Sequence, residues 1–369
     1  MYTVRKVKMM RIGFVLPRFS LTPIGGFKVV YEYAVHLAEN GHQVYLFHPR
    51  RLSSARSFED RIKEPLWIQR CQRQLRQSFW FPSVLTTPGV QMQFVPVPSP
   101  FYLPDLDAII ATGWRTAPWI AQFPPSKGRK YYLIQHYEVW DGPKEEVDAT
   151  WQLPLHKIVI ARWLYDLGEK NFDQGKRMTY IPNGIDFTHL RMTVPPSERS
   201  VRHIGMLYHT NYWKGTEIGL KALDLVKEHY PDLQSTVFGA PPRGQDIPSW
   251  IKYLRLPSPL ELEAYYNSCT IFVHPSLSEG WPLPPAEAMA CGAALTACSN
   301  EGVRDYAQHN KNALLSPPGD AESLAANVME LIRKPDLRIE LAEEGHRHIR
   351  QFTWELATTS LEQVLRQKP

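Results

Sequence analysis

The chain has 369 residues, of which 43% are hydrophobic and 21% charged, and a formal net charge of +5. That length exceeds one ordinary core and calls for two domains, and no apolar run approaches the roughly 20 residues that span a bilayer, which argues against an integral membrane protein. Cys71, Cys269, Cys291 and Cys298 show neither C-x-x-C spacing nor zinc-ligand intervals with His, which argues against a disulfide framework and a structural metal.

The charge is unevenly spread. Up to Tyr180, 24 Lys+Arg stand against 15 Asp+Glu; after it, 18 stand against 22. The first half is expected to meet something anionic, a membrane surface or an acidic substrate, and nothing points to nucleic acid. The start is basic, but Ile12 to Leu16 is too short, and too soon broken by Pro17, for a signal peptide, so residence in the cytoplasm is expected.

In chain order, Met10 to Leu16 reads as a first strand. The glycine-bearing turn Pro23-Ile24-Gly25-Gly26-Phe27 leads into a helix with Val29, Val30, Tyr33, Ala34, Leu37 and Ala38 on one face, stopped at Asn40-Gly41. Gln43 to His48, Met92 to Val97, Asp107 to Thr112, Lys130 to Gln135 and Lys157 to Ala161 are further short apolar runs, the pattern of a parallel, doubly wound sheet.

Between the second and third of these strands lies an insertion, residues 58–81. It carries Arg61, Lys63, Arg70, Arg73 and Arg76 among Trp67, Phe79 and Trp80. Two readings stand: an interfacial element making peripheral contact with the inner face of the membrane, or a solvated helix whose aromatics pack on its own domain.

Tyr180 to Asp186 breaks at Pro182 and Asn183-Gly184, a linker pattern. A second sheet follows, with strands at 201–207, 234–239, 251–256, 270–274 and 293–298. Its helices are expected at 216–229, 260–268 and 283–290, with closing helices at 322–332, 337–351 and 354–366. The domain expectation is 1–180, 181–350, and a terminal segment 351–369 that crosses back to the first domain.

In open parallel sheets the ligand lies beyond the carboxyl ends of the strands. The loop after 270–274 places Glu279-Gly280-Trp281-Pro282-Leu283 ahead of a helix bearing Glu287, so one carboxylate lies in the loop, one on the helix, and the helix N-terminus between them suits an anion. The loop after 201–207 brings Lys214 to the start of another helix, where ammonium and amide N–H groups converge on an anion.

These residues resemble the E-x7-E signature of the family 4 retaining glycosyltransferases. The resemblance implies an α/β chain of the GT-B fold, two Rossmann-like doubly wound domains facing each other across a cleft. It implies a retaining, metal-independent transfer of a sugar from a nucleoside diphosphate to an acceptor hydroxyl, with no separate cofactor. Glu279 would meet donor-sugar hydroxyls and Glu287 the ribose; Gly280, Trp281, Pro282 and Leu283 would line the donor, and Lys214 would offset the diphosphate. Met206 stands where the family often has an arginine, so either His209 or Arg243 supplies a second positive contact, or the diphosphate is held by one cation and amides.

In the first domain, Gly25, Gly26 and Phe27 resemble the glycine loop that approaches donor phosphate and acceptor. His136 resembles the histidine near the reacting carbon, with Glu138 near the acceptor hydroxyl. Leu256, in Arg255-Leu256-Pro257, would lie near the base. Asp105-Leu106-Asp107 matches a D-x-D metal element in letters, but it precedes its strand and falls at the edge away from the ligand. A glycosyltransferase of polysaccharide biosynthesis, rhamnosyltransferase-like members included, is the nearest likeness, with a saccharide, lipid-linked or small-molecule acceptor. A sugar-nucleotide epimerase, a phosphorylase and a non-catalytic binder are the competing classes.

Overall fold

The computed structural model describes residues 8–20, 24–53, 58–75, 82–173, 177–200 and 202–367. The chain divides into two compact units, residues 1–182 with 354–369, and residues 183–353.

The first unit contains β1 (Arg11–Val15), α1 (Gly25–Glu39), β2 (Gln43–Pro49), α2 (Phe58–Leu75), α3 (Pro82–Thr86), β3 (Val90–Val95), β4 (Ala108–Ala111), α4 (Ala117–Ala121), β5 (Arg129–Ile134), α5 (Lys144–Trp151), β6 (His156–Val159), α6 (Arg162–Phe172) and β7 (Met178–Tyr180). Its strands pair in the order β3-β2-β1-β4-β5-β6-β7, all parallel. Parallel strands sandwiched between helices are apolar on both faces, and β1 and β4 are accordingly buried almost throughout. The order reverses between β1 and β4, which sets the ligand edge at the loops that follow them.

α2 is the helix of the insertion. Trp67, Ile68, Cys71 and Leu75 turn inward onto Phe94 and Met92 of β3, and the Trp67 ring meets Phe94 edge-on at 5.9 Å. Trp67 is therefore a packing residue and not an interfacial anchor, because the edge strand beneath it has its own apolar surface to cover. Leu66, Arg70 and Arg73 lie on the exposed side. Arg76, Phe79 and Trp80 lie outside the described residues, as do the Arg61 side chain and Pro23 of the glycine loop.

α12 (Trp354–Arg366) also belongs to this unit. Its residues Trp354, Ala357, Thr358, Leu361, Val364 and Leu365 recur at helical spacing and are buried, with the Trp354 ring edge-on to Tyr33 of α1 at 5.3 Å. Asn40 Nδ2 donates to Glu362 at 2.6 Å, and Arg129 donates to the Leu365 and Gln367 carbonyls, capping the helix end.

The second unit holds β8 (His203–Leu207), α7 (Thr216–His229), β9 (Gln234–Gly239), β10 (Lys252–Arg255), α8 (Pro259–Ser268), β11 (Ile271–His274), α9 (Leu283–Ala290), β12 (Ala294–Cys298), β13 (Ala313–Ser316), α10 (Ala321–Arg333) and α11 (Pro335–Ile349). The sheet runs β10-β9-β8-β11-β12-β13, again all parallel. β13 goes beyond the five strands expected, since its four residues between Asn312 and Pro317 carry too short a period to read from sequence. The order reverses between β8 and β11. Among the described residues, no helix is long and apolar enough to cross a membrane.

Candidate functional site

In the second unit the two loops at the switch point touch. Leu277 N–H donates to the Trp213 carbonyl at 2.7 Å, and Gly215, at φ +65°, sits so close to Pro275 that a Cβ there would lie 2.0 Å from its carbonyl oxygen. Only glycine allows both the left-handed backbone and this approach. The contact carries Lys214 over the second loop, where its Nζ donates to both oxygens of Glu279, at 2.9 and 2.8 Å.

Glu279 is 6% exposed. Burial by itself would push its carboxyl up; the Lys214 ammonium overcomes that, with a hydrogen bond from Ser276, and holds it below the ordinary carboxylate value. His274, at the end of β11, lies 4.0 Å from Glu279, and burial lowers its pKa to about 4 despite that carboxylate, so it is neutral at physiological pH. Asn300 ties the neighbouring loops together: its Nδ2 donates to the Ser276 carbonyl at 2.9 Å, and its Oδ1 accepts from Val303 N–H at 2.9 Å. On the other side a Cβ at Gly302 would fall 2.4 Å from the Gly280 carbonyl oxygen, so the β12 loop packs directly on the Glu279-Gly280 backbone. Sequence reading took His274 only as a strand end and passed over Asn300 and Gly302; the one signal available was their position just after strands that flank the switch point.

Glu287 is buried as well, one helix in, and accepts a hydrogen bond from Tyr266 Oη at 2.8 Å. Trp281 is 4% exposed and packs on Tyr306 and Phe352, while Tyr306 Oη donates to the Pro282 carbonyl at 2.7 Å. Gly280 and Leu283 are buried beside them. The expected anion site at the start of α9 needs correcting. Pro284 and Pro285 follow Leu283, so two amide N–H groups of its first turn do not exist. The start of α7 keeps its amides and lies directly after Lys214, which makes it the better anion site.

Arg243 and His209 are the candidates for a second positive contact beside the diphosphate. Arg243 is instead committed elsewhere: its guanidinium donates to the Ile247, Pro248 and Ile251 carbonyls at 3.1, 2.8 and 2.9 Å, stapling its own loop. His209 is beside Lys214, with its backbone locked by Thr216 Oγ1 and its Nδ1 accepting from Asn211 N–H at 3.0 Å. Burial, with Lys214 nearby, lowers its pKa, which works against a second positive charge there. Met206 is fully buried in β8 against Gly219. Leu256 holds a left-handed φ of +48°, an uncommon conformation for a branched residue, and its N–H donates to the Gly239 carbonyl at 2.9 Å.

In the first unit, the Gly26 carbonyl accepts from Gln135 Nε2 at 3.1 Å, which fixes the glycine turn, Gly25 exposed at its tip, to the end of β5. Phe27 is buried against Tyr31 and His48, so it supports the loop from beneath. His136 is flanked by Trp140 and Trp163, with ring centroids at 4.2 and 5.3 Å. The Glu138 carboxylate accepts from Trp114 N–H at 3.0 Å, and burial raises its pKa to about 7 against the pull of that amide and of Arg115. Asp105 pairs with Lys127 and Asp107 accepts from Arg11 N–H, both at the amino edge of the sheet, so the two carboxylates serve separate structural bonds.

Residues 198–334, which include Lys214, Glu279 and Glu287, match the family described as Glycosyl transferases group 1. The chain is 26% identical over 156 residues to an uncharacterized glycosyltransferase of Haemophilus influenzae, covering 40% of this chain and 43% of that protein. It is 25% identical over 264 residues to a D-inositol 3-phosphate glycosyltransferase of Thermobispora bispora, covering 62% and 60%. The chain thus spans about half the length of these relatives. Among solved structures it resembles the Anabaena protein HepE in complex with UDP, with TM-score 0.74 and 15% identity over 96% of this chain and 99% of that one. With two all-parallel Rossmann-like sheets, this likeness shows the GT-B fold.

Proposed function

We propose that this chain is a glycosyltransferase that moves a sugar from a nucleoside diphosphate to an acceptor hydroxyl, retaining the anomeric configuration and using no metal ion. One observation carries the reading: Lys214 and buried Glu279 meet bidentately at the switch point, beside the free amides that open α7. As the bond to the anomeric carbon breaks, charge grows on the leaving diphosphate. An ammonium and aligned N–H groups already in position stabilise that charge without reorganising. Glu279, kept ionised by Lys214, is a hydrogen-bond acceptor for sugar hydroxyls, and buried Glu287 with Tyr266 suits the ribose diol. The leaving phosphate oxygen takes the acceptor proton in a front-face step. The match over 198–334 and the UDP complex of HepE support the donor class.

We also place peripheral contact with the inner face of the membrane on the outward side of α2, where Leu66, Arg70 and Arg73 are exposed.

A thermal-shift panel of UDP-, dTDP- and GDP-sugars tests the donor reading. One base is expected to raise Tm, and Lys214→Ala or Glu287→Gln to remove the shift. No shift with any of the three would sink the proposal. Anomeric NMR of the product and turnover in EDTA then test retention and metal independence.

A further inference from the structure

Lys214 and Glu279, the two charged groups that a nucleotide sugar calls on, are committed to each other. Lys214 Nζ donates to both Glu279 oxygens, at 2.9 and 2.8 Å, and among the described residues it has no other acceptor. Glu279 is buried, and among the described residues Lys214 is its one lysine or arginine partner. The other titratable groups around it are His274 at 4.0 Å, kept neutral by burial, His209, whose pKa burial and Lys214 lower, and Tyr306, whose hydroxyl donates to the Pro282 carbonyl. Glu287 lies one helix in and is bonded by Tyr266. Ser276 adds a hydrogen bond to the carboxylate, but none of these groups replaces an ammonium.

A matched pair has little net field, so a diphosphate gains this ammonium only by drawing it off the carboxylate. The two partners differ in their freedom to move. Lys214 is partly exposed on a flexible four-carbon stem, whereas the Glu279 backbone is pinned by the next loop, where a Cβ on Gly302 would fall 2.6 Å from the Glu279 carbonyl oxygen. The lysine therefore swings and the carboxylate stays. A buried carboxylate stripped of its cation, with a new anion beside it, is disfavoured in its charged form by burial and by like charge together. A free nucleoside diphosphate brings nothing to relieve that, so Glu279 takes a proton from solvent. A nucleotide sugar also brings hydroxyls, and hydrogen bonds donated to the charged form keep a carboxylate ionised. The swing is complete once the donor is bound, so the ammonium is in place when charge grows on the leaving group.

We propose that the ion pair of Lys214 with Glu279 selects between substrate and product: a nucleoside diphosphate breaks the pair and binds together with a proton on Glu279, whereas a nucleotide sugar replaces the lost bonds with its own hydroxyls and binds without that proton. The inference rests on the glycosyltransferase reading and adds how the site favours the loaded donor over the nucleotide left after transfer.

The experiment uses the full chain, whichever nucleotide sugar raises its Tm, and the matching nucleoside diphosphate, each titrated by calorimetry. Glu279→Gln frees the ammonium without moving the loop that carries it, so affinity for the nucleoside diphosphate should rise by at least about tenfold while affinity for the nucleotide sugar falls. The wild-type chain supplies a measurement that needs no variant. At about pH 7.5 a terminal phosphate with pKa about 6 is already ionised, and titrations in buffers of different ionisation enthalpy should show about half a proton or more taken up per nucleoside diphosphate, and close to none per nucleotide sugar. The proposal is overturned if Glu279→Gln folds and its affinity for the nucleoside diphosphate stays or falls. It is equally overturned if the wild-type chain takes up no proton with the nucleoside diphosphate, or as much with the nucleotide sugar. Failure of every nucleotide sugar and nucleoside diphosphate to bind would instead overturn the glycosyltransferase reading.

Discussion

Replacing Gly215 by alanine separates two costs that this residue avoids. The first is conformational: a non-glycine residue at φ +65° costs about 1–2 kcal/mol. The second is contact. The new Cβ would lie 2.0 Å from the Pro275 carbonyl oxygen and 2.8 Å from its carbon, both backbone atoms that cannot rotate aside, and such overpacking costs about 1–3 kcal/mol more. Gly319→Ala is the natural control, because Gly319 has φ +87° with nothing within 4 Å of its Cβ position, so only the first cost applies. At about 2–4 °C per kcal/mol for a domain of this size, Gly215→Ala should lower Tm by roughly 4–20 °C and Gly319→Ala by roughly 2–8 °C. To reach a normal contact, the Lys214 loop must withdraw from Pro275 by about 1 Å, which takes Nζ out of hydrogen-bond range of at least one Glu279 oxygen. Affinity for whichever nucleoside diphosphate binds, by calorimetry, should then fall at least about tenfold in Gly215→Ala and stay unchanged in Gly319→Ala. Equal Tm losses with nucleoside diphosphate affinity intact in both would refute the argument that the close approach of these two loops builds the site.

Acid should weaken each unit through a buried histidine. His48 and His274 have folded pKa values near 4 because burial disfavours their charged forms, so the stability each lends is complete above about 6.5 and is lost as pH falls towards 4, by about 3 kcal/mol apiece. Urea midpoints at pH 7 and pH 5 check this, and His274→Gln should flatten the slope of the second unit. Arg243→Ala should lower Tm by removing three carbonyl bonds yet leave nucleoside diphosphate affinity within about twofold, whereas a tenfold loss would return Arg243 to the diphosphate. Arg70→Glu with Arg73→Glu should reduce co-sedimentation with phosphatidylglycerol vesicles, by about fivefold or more for each arginine, and unchanged binding would end the membrane assignment.

The two sheets are legible in the chain alone, and so is a candidate site. Short apolar runs separated by helical periods leave little choice but parallel strands. The carboxylates of Glu279 and Glu287 are local in the chain, eight residues apart in one loop and helix, so their spacing is legible without a fold. Even the weakness of α9 as an anion site was written there, in Pro284-Pro285, because a missing N–H is a property of the residue. Partnership across long stretches of chain emerges only on folding. Arg243 and Lys214 are both cations after strands, and periodicity treats them alike; one folds back onto carbonyls a few residues away and the other reaches a carboxylate 65 residues on. Trp67 and Trp140 are likewise the same side chain, one covering an edge strand and one set edge-on to His136. Residue type sets what a side chain can bond. Which atoms come within reach is settled by packing, where a glycine at 215 lets two backbones meet and a neighbouring β12 loop holds them there.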